Sequence, residues 1–270
     1  MLNVAAGTRR TVQAERTPTA SAGSGARPAR PAFRITGTGA STAGERAAPA
    51  RRQGVDHRRQ RPLPNGVARE LAEALPARRV ARYERQLALA SAAYARDRYG
   101  EALKILQELV RIAPGVAAAR ELYGLTLYRL GRWREASREL LRFHELTGSF
   151  DQHPALADAQ RALGHHDEVG RLWQELRRAG ATSDVLAEGR LVMAGSLADR
   201  GRIAEAIALV EPAATRVVRR PQQRHLRQWY VLADLYERAG DAPRARELFR
   251  KVVEADPDLA DATARLAALS

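Results

Sequence analysis

Trp229-x-x-Leu232-Ala233-x-x-Tyr236, followed by Gly240, Ala245-x-x-x-Phe249 and Pro257, is the stretch that decides the fold of this 270-residue chain. Its apolar residues recur at i, i+3, i+4 and i+7, the signature of one buried helix face. Gly240 then supplies a turn at low conformational cost, and Asp241 with Pro243 suits the start of a second helix. The spacing is that of a 34-residue helix–turn–helix repeat. Two antiparallel helices that cross closely need a small residue on each, and Ala233 and Ala245 stand twelve positions apart to provide them.

Aligned on that second small site, the rest of the chain repeats. Ala102, Ala136, Val169, Ala206 and Ala245 each follow a turn residue by five: Asp97, Gly131, Gly164, Gly201 and Gly240. The intervals between them are 34, 33, 37 and 39 residues, two near-regular periods and two with short insertions at about 181–186 and 217–225. Ala90, Gly124, Ala157, Ala194 and Ala233 form the matching small site of each first helix. Leu89, Tyr123, Leu156, Met193 and Leu232 are expected to pack around it, opposite Leu106, Leu140, Trp173, Val210 and Phe249. Ahead of the units, Val67, Leu71 and Leu75 predict a short helix stopped by Pro76.

Residues 83–259 thus resemble five tetratricopeptide repeats, at about 83–116, 117–149, 150–183, 187–220 and 226–259, with residues 259–269 resembling the helix that caps such an array. The fifth unit carries every diagnostic residue of the family pattern. The second matches through Tyr123, Gly124, Gly131, Trp133, Ala136 and Phe143, and the first has Asp97 in place of the turn glycine. The third and fourth are worn, with His153 and Arg190 where the fifth has Trp229. The organisation is similar to that of stand-alone repeat proteins of actinobacteria. The resemblance implies an all-α, right-handed superhelical solenoid over 83–270, preceded by a helical segment at 67–82. Its first helices would line a concave groove.

What the resemblance implies for function is binding without chemistry. A protein–protein interaction scaffold or adaptor is expected to hold a peptide or helix of a partner protein in that groove. The lining would include Tyr94, Glu121, Leu125, Tyr128, Arg129, Asp158, Arg161, Tyr230, Asp234 and Arg238. Tyr and Arg combine apolar area with directional donors, which suits a recognition surface; the alternative is that Tyr94 and Tyr128 only pack between units. One subfamily grips chaperone-tail carboxylates with a lysine/asparagine clamp. The corresponding sites here are Leu87, Ser91, Leu125 and Arg129, so that ligand is not expected.

Charge is unevenly distributed. Residues 1–66 hold twelve arginines against three acids, so +9 of the formal net charge of +14 resides there. Built from Arg, Gly, Ser, Thr, Pro and Ala with Phe33 as the only aromatic, this tail buries too little apolar surface to offset backbone entropy of about 1–2 kcal/mol per residue, and it is expected to be disordered. Arg51-Arg52 and Arg58-Arg59-x-Arg61 carry the rival function, association with nucleic acid or an anionic membrane surface in a transcription or signalling regulator. Without aromatics for stacking, such contact would be sequence-independent and salt-sensitive. A solubilising leader, or translation starting downstream of Met1, are the blander alternatives. Arg216, Arg219, Arg220, Arg224 and Arg227 make a second basic cluster between the fourth and fifth units.

Other features bound the remaining possibilities. Cysteine is absent, which rules out disulfides and thiolate metal sites. No apolar run reaches the roughly 18 residues of a membrane span, and Met1–Ala6 is too short for a signal-peptide core. A cytoplasmic location is expected, with an organellar transit peptide as the alternative, since the beginning is Arg-rich and acid-poor. Lys104 and Lys251 are the only lysines, and with the abundant alanine this suggests GC-rich bacterial coding. His165-His166-Asp167-Glu168 reads as a solvated turn, because adjacent residues point apart and a metal needs three or four convergent ligands. His144, His153 and His225 look scattered, and Glu135 with Arg138 reads as a helix-surface pair. No phosphate loop, nucleophile elbow or zinc-protease helix is present, so no catalytic residue, metal ligand or cofactor is expected, and no enzyme activity.

Overall fold

The computed structural model describes residues 65–269, and these are all-α. Among them twelve helices follow one another: α1 (Asn65–Ala74), α2 (Ala77–Ala95), α3 (Tyr99–Ile112), α4 (Ala117–Arg129), α5 (Trp133–Thr147), α6 (His153–Ala162), α7 (His166–Arg178), α8 (Ser183–Asp199), α9 (Ile203–Ala214), α10 (Gln223–Arg238), α11 (Ala242–Ala255) and α12 (Ala262–Ala268). The tail with its arginine pairs lies outside the described residues.

From α2 to α11 the helices pack in five antiparallel pairs. The second helix of each pair packs on the first helix of the next, and the first helices α2, α4, α6, α8 and α10 touch in succession. The result is a solenoid whose stability is the sum of units and neighbour interfaces. α1 precedes the array against α2 and α4, and α12 closes it against α11.

One turn is used five times. Arg98, Arg132, His165, Arg202 and Asp241 each donate their backbone N–H to the carbonyl five residues back (Ala93, Leu127, Gln160, Leu197 and Tyr236), at 2.9–3.0 Å. That bond closes a left-handed helix end, and Gly131, Gly164, Gly201 and Gly240 take φ of 74°, 78°, 75° and 82° to make it. Asp97 holds the same conformation at φ 58° despite its side chain, a steric cost that glycine spares the other four units. At the next helix start, Asp241 accepts from the Arg244 N–H at 3.2 Å, the expected cap. In three other units an arginine stands at that position and reaches forward three residues: Arg98 to Glu101, Arg132 to Glu135 and Arg202 to Glu205. Glu135 therefore pairs with Arg132, not with Arg138, which turns to Glu139 instead.

The small sites do what the spacing requires. Ala90, Ala102, Ala136, Ala194, Ala206, Ala233 and Ala245 are all fully buried at the helix crossings. A Cβ on Gly124 would lie 2.7 Å from Leu140 Cδ2 and 3.2 Å from its backbone N. Around these sites Leu106, Leu140, Val210, Leu232 and Phe249 fill the core, each worth about 1.5–3 kcal/mol by transfer. Leu89 is an exception to the expected packing: it is 48% exposed. The equivalent residues of later units are covered by the preceding unit's second helix, and α2 has none before it.

Candidate functional site

The first helices carry the residues expected to line the groove, and the solenoid sorts them into three clusters. At the first-unit end, the Tyr94 ring meets Tyr99 edge-on at 5.3 Å. The Arg129 guanidinium lies 4.7 Å over the Tyr99 ring and 3.3 Å from the Asp97 carboxylate, which also accepts from the Tyr99 hydroxyl. Burial pushes the Tyr94 phenol up, against the pull of Arg129. Next along α4, Glu121 accepts from the Gln152 amide at 2.7 Å, and its carboxyl is raised chiefly by burial. Leu125, half-buried, packs against the cluster formed by Leu140, Leu156 and Val192.

The middle of the array holds a buried polar chain. Tyr128 donates its hydroxyl to Asp158 at 2.5 Å, and its ring sits edge-on to Trp133 at 5.4 Å. Arg161 donates to Asp158 at 2.8 Å and to Asp199 at 2.7 Å, with only 8% of its side chain exposed. The Arg161 side chain passes over Gly195, where a Cβ would meet it at 3.5 Å, an ordinary contact. Beside this chain, Glu188 and Arg227 face each other at 2.7 Å, both buried. Burial holds the Glu188 carboxyl up at about 7 in spite of Arg227.

At the last-unit end the expected lining is engaged by α12. Tyr230 donates to Asp261 at 2.5 Å. Arg265 reaches Asp234 at 2.9 Å and Glu237 at 2.5 Å, with its guanidinium 4.6 Å from the Phe249 ring. Arg238 donates to the Ala198 carbonyl at 2.8 Å and approaches Asp234 at 3.9 Å.

Of the ten residues read from the sequence, Tyr94 and Arg129 meet, Tyr128, Asp158 and Arg161 meet, and Tyr230, Asp234 and Arg238 cluster under the cap. Asp97, Tyr99, Glu188, Asp199, Arg227 and Arg265 were not expected among them. Repeat alignment carries a signal for one pair: Glu188 stands two before Arg190 as Arg227 stands two before Trp229, the same register in adjacent units. The second basic cluster divides accordingly. Arg227 turns inward, Arg224 pairs with Asp184 at 2.7 Å, and Arg216, Arg219 and Arg220 are exposed.

The histidines are less scattered than their spacing suggests. His144, Phe150 and His153 form a ring triangle with centroids 4.5–4.8 Å apart, and burial drives His153 down to about 4. His165 and His166 turn to separate partners, Gln160 at 2.8 Å and Ser196 at 2.9 Å, while Asp167 points into solvent. Among the described residues no three His, Asp or Glu side chains are placed to hold a metal ion, and no helix is long and apolar enough to cross a membrane.

The tetratricopeptide repeat family model matches residues 87–142 and 191–260, which bracket the worn third unit. The chain belongs to the tetratricopeptide repeat family. Solved structures with the same fold include a thermophilic tetratricopeptide repeat protein of Thermus thermophilus, 20% identical with a TM-score of 0.57, matched over 69% of this chain and 98% of that one. A tetratricopeptide repeat protein of Parabacteroides merdae is 19% identical, with a TM-score of 0.56 over 69% of this chain and 70% of its own. The apo form of the quorum sensor NprR from B. thuringiensis is 16% identical, with a TM-score of 0.57 over 70% of this chain and 57% of its own. At these identities the likeness is one of fold. No curated protein matches the chain. Tetratricopeptide repeat arrays are in general protein-interaction scaffolds without catalytic machinery.

Proposed function

We propose that this tetratricopeptide repeat protein is a cytoplasmic scaffold or adaptor, not an enzyme, that holds a peptide or helix of a partner protein along its first helices. The observation that carries the reading is the unbroken succession of α2, α4, α6, α8 and α10, one helix per unit along a single wall. Such a wall offers anchors at regular intervals, which fits an extended or helical ligand.

Within it, Tyr94, Glu121, Leu125 and Arg129 make the principal contact. They are half-buried, so they keep accessible surface while their neighbours hold them in place. Asp234 and Arg238 form a second, charged contact at the far end. Tyr128, Asp158, Arg161 and Tyr230 are buried and hydrogen-bonded, and they position the wall. Pre-ordered side chains of this kind lower the entropy cost of binding.

Photo-crosslinking tests the reading. A photoreactive residue replacing Leu125 is expected to give discrete partner adducts in cells, and the same residue replacing the exposed Gln107 on α3 is not. Adducts of equal yield at both sites would reject a groove. If the Leu125 adducts instead disappear on deletion of residues 1–64 or on raising salt, the basic tail is the binding element.

A further inference from the structure

Arg190 occupies the position that Trp229 fills in the fifth unit and Arg120 in the second. Arg120 is neutralised there: Glu139 meets it at 2.5 Å and the Pro114 carbonyl at 2.7 Å. In the fourth unit the residue equivalent to Glu139 is Leu209. Arg190 therefore lies half-buried beside an apolar cluster of Trp173, Leu176 and Val185, with no acid among the described residues facing it. Gly189 draws α8 down onto α7 at this point; a Cβ there would stand 2.4 Å from Leu176 and 3.3 Å from the Trp173 ring. The Arg190 guanidinium is 5.9 Å from the centroid of Trp173, and Arg177 stands at the same distance from the same ring. Arg216 follows α9, whose Leu209 packs into this cluster, and is exposed. Burial and then the like charges of Arg216 and Arg177 disfavour the Arg190 cation.

The acids on these elements are committed elsewhere. Glu175 binds Arg171, Glu188 binds Arg227, Asp184 binds Arg224, and Glu211 accepts from Tyr236. Two cations at one ring, Arg190 half-buried and Arg177 exposed, with the like charge of Arg216 acting on Arg190, leave the buried one disfavoured in a way an anion would relieve.

We propose that Arg177, Arg190 and Arg216 form an oxyanion site at the junction of the third and fourth units, taking a phosphoryl group carried by a protein partner. Guanidinium forks match phosphate oxygens in geometry, and a group of nearly two negative charges suits three arginines better than one carboxylate does. The chain's own basic tail is excluded as the occupant by its charge. Nucleic acid would need a track of cations, and the earlier units do not continue one: the equivalents of Arg177 are Val110 and His144, and Arg120, the equivalent of Arg190, is neutralised by Glu139. Trp173 is itself buried, so no base can stack on it. The site shares helix α8 with the first-helix wall but uses none of the residues assigned to its contacts, and it does not depend on that function.

The test uses the full chain with O-phosphoserine as probe, against serine plus chloride at matched ionic strength, read by calorimetric titration and thermal unfolding. The wild type is expected to bind O-phosphoserine and unfold at higher temperature in its presence. Arg190→Gln and Arg177→Gln each weaken binding about tenfold. Arg219→Gln, an exposed arginine outside the cluster, leaves it unchanged. Arg216→Gln on the surface is an independent variant that folds whatever Arg190 does, and it also weakens binding. Equal responses from wild type and the three cluster variants would overturn the proposal. So would an Arg190-dependent oligothymidine complex tighter than the phosphoserine one, which would make nucleic acid the ligand.

Discussion

Glu188 on α8 and Arg227 on α10 meet at 2.7 Å across two successive units, with no more than a tenth of either side chain exposed. A buried pair of this kind seldom adds stability outright, because desolvation offsets the attraction, but removing one partner leaves a charge stranded. The pair therefore couples the fourth unit to the fifth and makes their interface sensitive to protonation.

The pH dependence follows from the Glu188 carboxyl, held at about 7 by burial against an ordinary 4.5. A carboxyl whose folded value is raised binds its proton more tightly in the native state, so its contribution is present below about 4.5 and is lost as pH rises toward 7. Glu188→Gln should thus gain on the wild type between about pH 5 and pH 8, by on the order of 2 kcal/mol. Denaturant melts at the two pH values measure it, and an unchanged difference would remove Glu188 from the account. Arg227→Met removes the charge that lowers the carboxyl, so Glu188 should rise further and the fall in stability with rising pH should continue above about pH 7.

His153 acts in the opposite direction. Burial lowers it from 6.5 to about 4, so the native state resists its protonation, and stability is lost as pH falls from about 6.5 toward 4. The two slopes oppose each other over much of that window. His153→Phe should remove the acid-side loss and expose a fall in stability with rising pH, visible as a midpoint that decreases steadily from about pH 5 to pH 7. A variant with the wild-type profile would show that the His144–Phe150–His153 triangle does not set it.

Two glycines should respond to alanine with opposite signs. Gly240 sits at φ 82° with open space around it, so Gly240→Ala meets backbone strain alone and loses about 1–2 kcal/mol. Gly100 lies within α3, also in open space and without a positive φ. Gly100→Ala should stabilise by about 0.5–1 kcal/mol through helix propensity. Equilibrium unfolding of the two variants side by side is the check, and equal signs would contradict the turn assignment.

Arg265 ties the C-terminal helix to α10 and α11, beside the Tyr230–Asp261 bond and the buried Ala262. Arg265 binds Asp234 and Glu237 and covers the Phe249 ring with little of itself exposed. Arg265→Ala should cost about 2 kcal/mol and increase hydrogen exchange in α12 and the C-terminal half of α10 before the rest of the array. Uniform exchange across all units would mean that the cap is not a separate folding element.

The repeat was legible from Trp229 to Pro257 because its diagnostic residues are packing residues, and close helix crossings demand particular sizes at particular intervals. Ala233, Ala245 and Gly240 had no alternative roles to confuse them. The same local logic located Asp97 as a turn residue without glycine. It mispaired Glu135, because both Arg132 and Arg138 stand three residues away and only the rotamers separate them.

The candidate site was legible only as a list of helix positions. Tyr128, Asp158 and Arg161 fall on one wall by register, yet their closing into a buried chain with Asp199 depends on how tightly α4, α6 and α8 approach. Whether an arginine is neutral or stranded is likewise a long-range matter: Arg120 and Arg190 share a position in the repeat and differ by the residue that faces them from the next helix, Glu139 in one unit and Leu209 in the other. Fold class followed from local spacing, because helix periodicity and small-residue sites act within about forty residues of chain. Charge pairing, exposure and the shape of the wall came from contacts between units, where one side chain's distance to its partner decides the electrostatics.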